Sequence, residues 1–277
     1  MTVINTLLRS LFDAVLYPFR GLSPIWGLAI VSVVVGIVML LIFKVTSNQE
    51  ALERIKRRIH VGFFEIRLFN DDIGAMFRAQ GQILRANMVY LAYILVPILW
   101  AFIPLTLIYF HLDSHYRYAG LEIGEPTLLE VKLKDDPNLR LDQKPNVSLE
   151  VPAGLSIDTQ SVWVPSEREL TWRISALEKG DHVVEVVMGD QRTTKTVRVS
   201  DDVVRRSALR PPRKFIPQLE NPGEQPIPSE SPIESIFVGY PETEVNLLGW
   251  KNWWVLSFLL ISIVGAFALK GVFGVTI

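Results

Sequence analysis

The residues with the strongest claim to chemistry in this chain are its four histidines, His60, His111, His115 and His182. His111 and His115 stand one helical turn apart, a spacing that can place two imidazoles on one metal ion. Asp113, between them, faces another side of a helix, and no third ligand accompanies the pair. No metal site is expected. The chain has no cysteine, which removes disulfides, thiolate ligands and cysteine nucleophiles. It carries no glycine-rich phosphate loop, no HExxH and no GxSxG motif. Asn146-Val147-Ser148 fits the glycosylation acceptor pattern, a short match with a high chance rate. The expectation is a protein without covalent chemistry: not an enzyme, and with no cofactor.

The elements that carry the remaining polar groups are set by hydropathy. Of 277 residues 49% are hydrophobic, and the net charge is −1, which makes no general case for nucleic acid, so no specific nucleic-acid site is expected. The apolar residues are concentrated. Ile25–Phe43 is unbroken except for Ser32, long enough at 1.5 Å per residue to cross a hydrocarbon core of about 30 Å. Val89–Phe110 is a second run, with Pro97 and Pro104 nearly on one face. Such prolines are tolerated in spans when neighbouring groups satisfy the freed carbonyls. Trp253–Leu269 is the third, opened by two tryptophans at interfacial depth. These runs predict spans over 25–46, 89–111 and 251–277. The first exceeds a signal-peptide core and is followed by no small-x-small cleavage site, so it is read as retained.

Ahead of the first span, Ile4, Leu7, Leu8, Leu11, Phe12, Val15, Leu16 and Phe19 recur at helical spacing, with Asn5, Arg9 and Asp13 on the other side. This predicts an interfacial amphipathic helix within residues 1–22. Between the first two spans lie Arg54, Lys56, Arg57, Arg58, Arg67, Arg78 and Arg85, with Lys44 at the end of span one. The positive-inside rule makes this loop cytoplasmic. The N-terminus and residues 112–250 are then outside, and the C-terminus inside. The expected location is a bacterial inner membrane.

The loop itself, 47–88, is patterned. Leu52, Ile55, Ile59, Phe63 and Ile66 form one helical stripe, and Ile73, Met76, Phe77, Gln80 and Leu84 a second. Phe69-Asn70-Asp71-Asp72 between them supplies a turn and a cap. Two such helices pack antiparallel, and the second has no Gly or Pro between Arg85 and Val89 to stop it before span two. A plain connector would need far fewer residues.

An amphipathic helix, a span, a basic cytoplasmic hairpin and a second span form the layout carried by Leu7–Thr46 (LLRSLFDAVLYPFRGLSPIWGLAIVSVVVGIVMLLIFKVT), the hairpin and span two, followed by span three. This resembles the YidC/Oxa/Alb-type membrane protein insertases. The three-span count is similar to their archaeal and eukaryotic relatives, including the insertase subunit of the endoplasmic reticulum membrane complex. About half the chain carries the resemblance. It implies a hydrophilic groove open to the cytoplasm and to lipid, and a hairpin that receives substrate or ribosome. The bacterial pattern has an arginine within span one; here none lies between Ile25 and Phe43, and Lys44 and Lys270 are the nearest cations. Candidates to line such a groove are Ser32, Lys44, Thr46, Asn87, Tyr90, Tyr93, Thr106, Ser257 and Ser262. Each hydroxyl could equally serve an ordinary contact between packed helices. Recruitment candidates on the hairpin are Arg54, Lys56, Arg57, Arg58, Arg67, Asn70, Arg78 and Arg85. Expected partners are the lipid bilayer and client membrane proteins, with a ribosome as a further candidate. The alternative is a scaffold subunit of a membrane complex.

Residues 117–200 change texture. Leu128–Leu133, Val147–Val151, Val162–Val164, Leu170–Ile174, His182–Val187 and Thr193–Val199 are short and alternating, separated by turn signals such as Lys179-Gly180-Asp181 and Gly189-Asp190. This predicts an extracytoplasmic all-β sandwich, and Leu177–Ser200 looks like the last hairpin of an immunoglobulin-like module. The proline-rich segment 201–250 is expected to be a linker, with a short element at Ser235–Tyr240. Its basic cluster, Arg205, Arg206, Arg210, Arg213 and Lys214, is placed to contact lipid headgroups or an acidic partner. The expected fold class is therefore a three-span helical membrane protein with a cytoplasmic helical hairpin and an outer β-sandwich.

Overall fold

A computed structural model describes residues 2–68, 72–137 and 141–275. The chain forms two compact units. One contains the chain up to Gly27 together with Leu107–Trp254; the other contains Leu28–Thr106 and the chain from Val255 onward.

The second unit is helical. Among the described residues three helices are long and apolar enough to cross a membrane: α2 (Pro24–Thr46), α4 (Ile73–Tyr116) and α6 (Trp254–Phe273). Pro24 opens α2 at a position where no N–H is needed. Within this unit α2 and α6 pack closely. A Cβ added to Gly36 would lie 2.7 Å from the Ser262 carbonyl oxygen, and one on Gly265 would touch Val33. At the far end of the pair, Lys44 Nζ donates to the Phe273 carbonyl at 2.7 Å, capping the negative end of α6. The apolar stretch of α4 is far less covered, with 6% of it buried against 39% for α2. Both of its prolines lie inside the helix, leaving the Tyr93 and Trp100 carbonyls without their usual donors.

Helix α3 (Gln49–Leu68) starts at an Asn48 cap, whose Oδ1 accepts from Ala51 N at 3.0 Å. Asp72 caps α4 in the same way through Ala75 N at 3.0 Å. Helix α3 lies against α4, the predicted turn at Phe69–Asp71 falls outside the described residues, and α4 runs from Ile73 into its apolar stretch without a break. The packed stripes differ from the expected ones. Phe63 and Phe77 are exposed, whereas Gly62 and Ala79 are buried. A Cβ on Gly62 would lie 2.5 Å from Ile83 Cγ1, so the helices approach through small residues and the aromatic rings are turned outward.

In the first unit, helix α1 (Thr2–Leu16) is followed by a single 3-10 turn (Tyr17–Phe19). Phe12 and Leu16 are buried; Ile4, Leu7, Leu11 and Val15 are exposed. The β-domain has a larger sheet of β3 (Leu155–Ile157) and β4 (Val162–Val164), both on one edge of β5 (Glu169–Ala176), then β1 (Pro126–Leu133), β9 (Ile233–Val238) and β8 (Leu209–Arg210). A second sheet holds β2 (Val147–Glu150), β6 (Gly180–Met188) and β7 (Gln191–Val199), and β10 (Val245–Leu247) pairs with β11 (Trp250–Asn252). All pairings are antiparallel. Strand alternation directs Leu129, Val131 and Leu133 of β1, Leu170, Trp172 and Ile174 of β5, Val184 and Val186 of β6, and Val197 and Val199 of β7 into one core. The β6–β7 hairpin closes through Gly189-Asp190 with φ +60° at the glycine, a type II′ geometry that suits sheet twist.

The segment 201–250 is not a linker. Ile233, Ile236 and Val238 of β9 are buried in the shared core, and β9 pairs with β1 from Leu129 to Leu133. A short helix α5 (Phe215–Glu220) lies between β8 and β9. Pro211 follows β8 and Pro232 precedes β9, where no ladder N–H is required, and Pro217 lies in the first turn of α5.

Candidate functional site

Two concavities define the site in the helical unit. The first is a groove of about 590 Å³ between α3 and α4. Arg57, Arg58 and Arg85 rim it, and Ile55, Val61 and Val89 line its apolar wall. Both helices are amphipathic here, so long basic side chains flank an apolar seam. Arg57 pairs with Glu53 at 2.7 Å, a solvent-exposed contact of little energetic weight. The second is a lateral cleft of about 540 Å³ between the C-terminal end of α2 and α4, lined by Leu41, Ile42, Val45, Thr46, Trp100, Ile103 and Pro104. Val89 and Trp100 lie about 16 Å apart along α4 at 1.5 Å per residue, so one helix presents both surfaces.

The groove-lining candidates are not gathered into a polar groove. Ser32, Thr46, Asn87, Thr106 and Ser262 each donate to the carbonyl four residues earlier on their own helix, at 2.6, 2.7, 3.0, 2.8 and 2.7 Å. Such local bonds satisfy a hydroxyl within an apolar helix without a partner from another span. Ser257 is buried, and Tyr93 is exposed. Tyr90 lies beneath the Lys56 ammonium, 5.8 Å from the ring centre. Only Thr46 lines the cleft, whose other walls are apolar.

The cations gather nearer the helix ends. Burial first, and then the neighbouring Lys270 ammonium, hold the Lys56 amine below its ordinary pKa. Lys44 is committed to the α6 terminus. Of the recruitment candidates, Arg54, Arg57, Arg58, Arg67, Arg78 and Arg85 are exposed, and Asn70 lies outside the described residues. Hairpin periodicity assigns Phe63, Ile73 and Phe77 to the packed stripes, yet with Phe64 and Leu68 they stand exposed toward the turn end of the two helices. An apolar patch of this kind marks an interaction surface. Its signal in the sequence is the adjacent Phe63-Phe64 pair, of which one ring must leave any single stripe.

The basic cluster of the 201–250 segment is largely internal to the β-domain unit. Arg206 is buried and donates to the carbonyls of Tyr118, Ser200, Val204 and Asp202, so it is not available to lipid or a partner. Arg205 pairs with Asp13 at 3.2 Å and Lys214 with Glu234 at 3.2 Å. Arg210 donates to Gln225 and Thr194, and Arg213 is exposed. His111 Nδ1 and His115 Nδ1 each lie 2.9 Å from a carbonyl one turn back. Among the described residues no group of three or more His, Cys, Asp or Glu could hold a metal.

No protein-family model, curated protein or solved structure matches the chain.

Proposed function

We propose that this is an insertase-like membrane factor that receives apolar segments of other membrane proteins and assists their insertion or assembly. The observation that carries the reading is the openness of α4 beside a close α2–α6 pair, which leaves an apolar cleft within the span region and a basic groove further along the same helix. An incoming span would lie against Trp100 and Ile103. Its polar flank would meet Arg57, Arg58 and Arg85, which is favourable because a charged group at mid-bilayer costs about 2.5–3.5 kcal/mol on insertion scales. The resemblance to YidC/Oxa/Alb-type insertases supports the same role, with the hairpin cytoplasmic, the β-domain outside and the protein in a bacterial inner membrane. The polar groove implied by that resemblance is replaced by an apolar cleft, so retention of an apolar segment takes precedence over passage of a hydrophilic one.

We also read the β-domain as immunoglobulin-like. The order β3/β4-β5-β1-β9 facing β2-β6-β7 supports this, since it matches D-E-B-A opposite C-F-G. Strand β9, arriving last in sequence, takes the place of the first strand.

A scaffold subunit of a membrane complex is the second reading, favoured by the exposed Phe63, Phe64 and Phe77. Reconstitution separates the two. Proteoliposomes containing the purified protein should increase insertion of a newly synthesised single-span client over empty liposomes. Unchanged insertion, together with one stoichiometric protein co-purifying through the hairpin, would favour the scaffold.

A further inference from the structure

In the β-domain unit, four guanidinium groups converge on one small pocket. Arg9 of α1, Arg198 of β7, Arg205 and Arg210 line a cavity of about 280 Å³, with Glu224 as the acid in its wall. Glu224 is already engaged. One carboxylate oxygen receives Lys195 Nζ at 2.7 Å and the other receives Thr196 N at 2.9 Å. Arg198 is held by Asp181, and Arg205 by Asp13 at 3.2 Å.

Arg9 and Arg210 are different. Arg9 donates to the Asn5 carbonyl at 3.2 Å and to Thr6 Oγ1 at 3.0 Å. Arg210 donates to the Gln225 carbonyl at 3.0 Å and to the carbonyl and hydroxyl of Thr194. These acceptors are neutral, and among the described residues neither arginine forms a direct ion pair with a carboxylate; Asp13 and Glu224 act on Arg9, and Glu224 on Arg210, only at longer range. Counting the acids that hold the lining cations and Lys195, the five cations Lys195, Arg9, Arg198, Arg205 and Arg210 share the three acids Asp13, Asp181 and Glu224, an excess of two formal positive charges around the pocket. Half-buried like charges repel, so this arrangement is costly unless an anion completes it.

The position narrows the anion. Arg9 sits on the inward face of α1, whose Leu7 and Leu11 are exposed on the opposite side. An apolar helix face of this kind seats at the acyl–headgroup boundary, which puts the pocket at headgroup depth. A cavity smaller than those that hold drug-sized ligands takes a compact group. Planar guanidinium forks match phosphate oxygens in pairs.

We propose that this pocket binds a phosphate group, carried by an anionic lipid headgroup or by a soluble phosphate. A lipid phosphate would fix α1 and the β-domain to the bilayer surface together, since Arg9 belongs to one and Arg210 to the other. The site is independent of the cleft and does not rest on the insertase reading.

The test uses the full chain in phosphatidylcholine nanodiscs. One arm titrates inorganic phosphate by calorimetry. The other adds phosphatidic acid to the nanodiscs and measures, by native mass spectrometry, the lipid retained after extraction. Retention of phosphatidic acid without phosphate binding identifies a lipid headgroup; binding of both identifies a general phosphate site. In either case Arg9→Gln with Arg210→Gln should weaken binding by about tenfold or more, since it removes charge-assisted hydrogen bonds to the anion. Arg9→Lys with Arg210→Lys, which keeps the charge and the fold but loses the forks, should fall between. Lys251→Gln should bind as wild type. Binding in neither arm, or wild-type binding by both double variants, would overturn the proposal.

Discussion

Gly36 of α2 lies against the backbone of Ser262 of α6, so closely that a Cβ would come within 2.7 Å of the carbonyl oxygen. Close backbone approach through a small residue is the usual means of holding spans together when lipid removes the hydrophobic drive between them. Gly36→Leu should therefore separate α2 from α6 and lower stability by about 1–3 kcal/mol, the usual range for overpacking. Leu99→Ala, on the exposed surface of α4, should stay within about 0.5 kcal/mol. Unfolding in mixed micelles checks both, and equal losses would mean that α4 is as tightly packed as α2.

The hairpin separates packing from recognition. Gly62→Leu collides with Ile83 and should raise amide hydrogen exchange along α3. Phe63→Ser with Phe77→Ser removes exposed rings and should leave exchange unchanged while reducing capture of client or partner several-fold. If the double serine variant frays the hairpin, those rings hold the fold and do not serve recognition.

Lys195 is fully buried and bonded to Glu224, Ser207 O and Thr196 O. Burial holds its amine below the ordinary lysine pKa, with Glu224 opposing that shift. Lys195→Met strands the carboxylate and should cost the β-domain about 3–5 kcal/mol in urea unfolding, whereas Lys195→Met with Glu224→Leu should recover much of it. No recovery in the double variant would assign the loss to packing alone.

Asp13 links α1 to the rest of its unit through His115 at 3.2 Å and Arg205 at 3.2 Å. Burial pushes its carboxyl up, but the His115 hydrogen bond and the Arg205 and His115 charges outweigh it, leaving the group below the usual carboxylate range. A depressed carboxylate stabilises the docked state above its unfolded pKa of about 4, and that contribution is lost as the pH falls below it. A nitroxide at Ser10→Cys, the sole cysteine of such a variant, should become more mobile as the pH drops below about 4. Asp13→Asn should be mobile throughout. A wild-type spectrum independent of pH would remove Asp13 from docking.

The helices were legible because their signals are local: a long apolar run, a capping Asp72, an apolar stripe at helical spacing. The strands beginning at Val147 and Val162, and β7 from Gln191, were legible from alternation and from Gly189-Asp190. Strand β9 was legible only as a short element at Ser235–Tyr240; its place in the sheet was hidden because Ile233, Ile236 and Val238 follow Pro226, Pro228 and Pro232, and composition outweighs a six-residue pattern. The site was less legible. Hydroxyls such as Ser32 and Thr106 suggested a shared groove, yet each bonds within its own helix, a choice that residue type does not reveal. The phosphate pocket joins Arg9 to Arg210 across 201 positions, and only the folded chain brings them together.

On the proposed function, the α2–α4 cleft holds segments of other membrane proteins. Photocrosslinking amino acids at Ile42 and Trp100, with Val264 on the exposed side of α6 as the control, test it in cells during synthesis of membrane proteins. Short-lived crosslinks to several newly made spans at Ile42 and Trp100, and few at Val264, are the predicted result. A single persistent adduct, or equal yields at all three positions, would contradict the account.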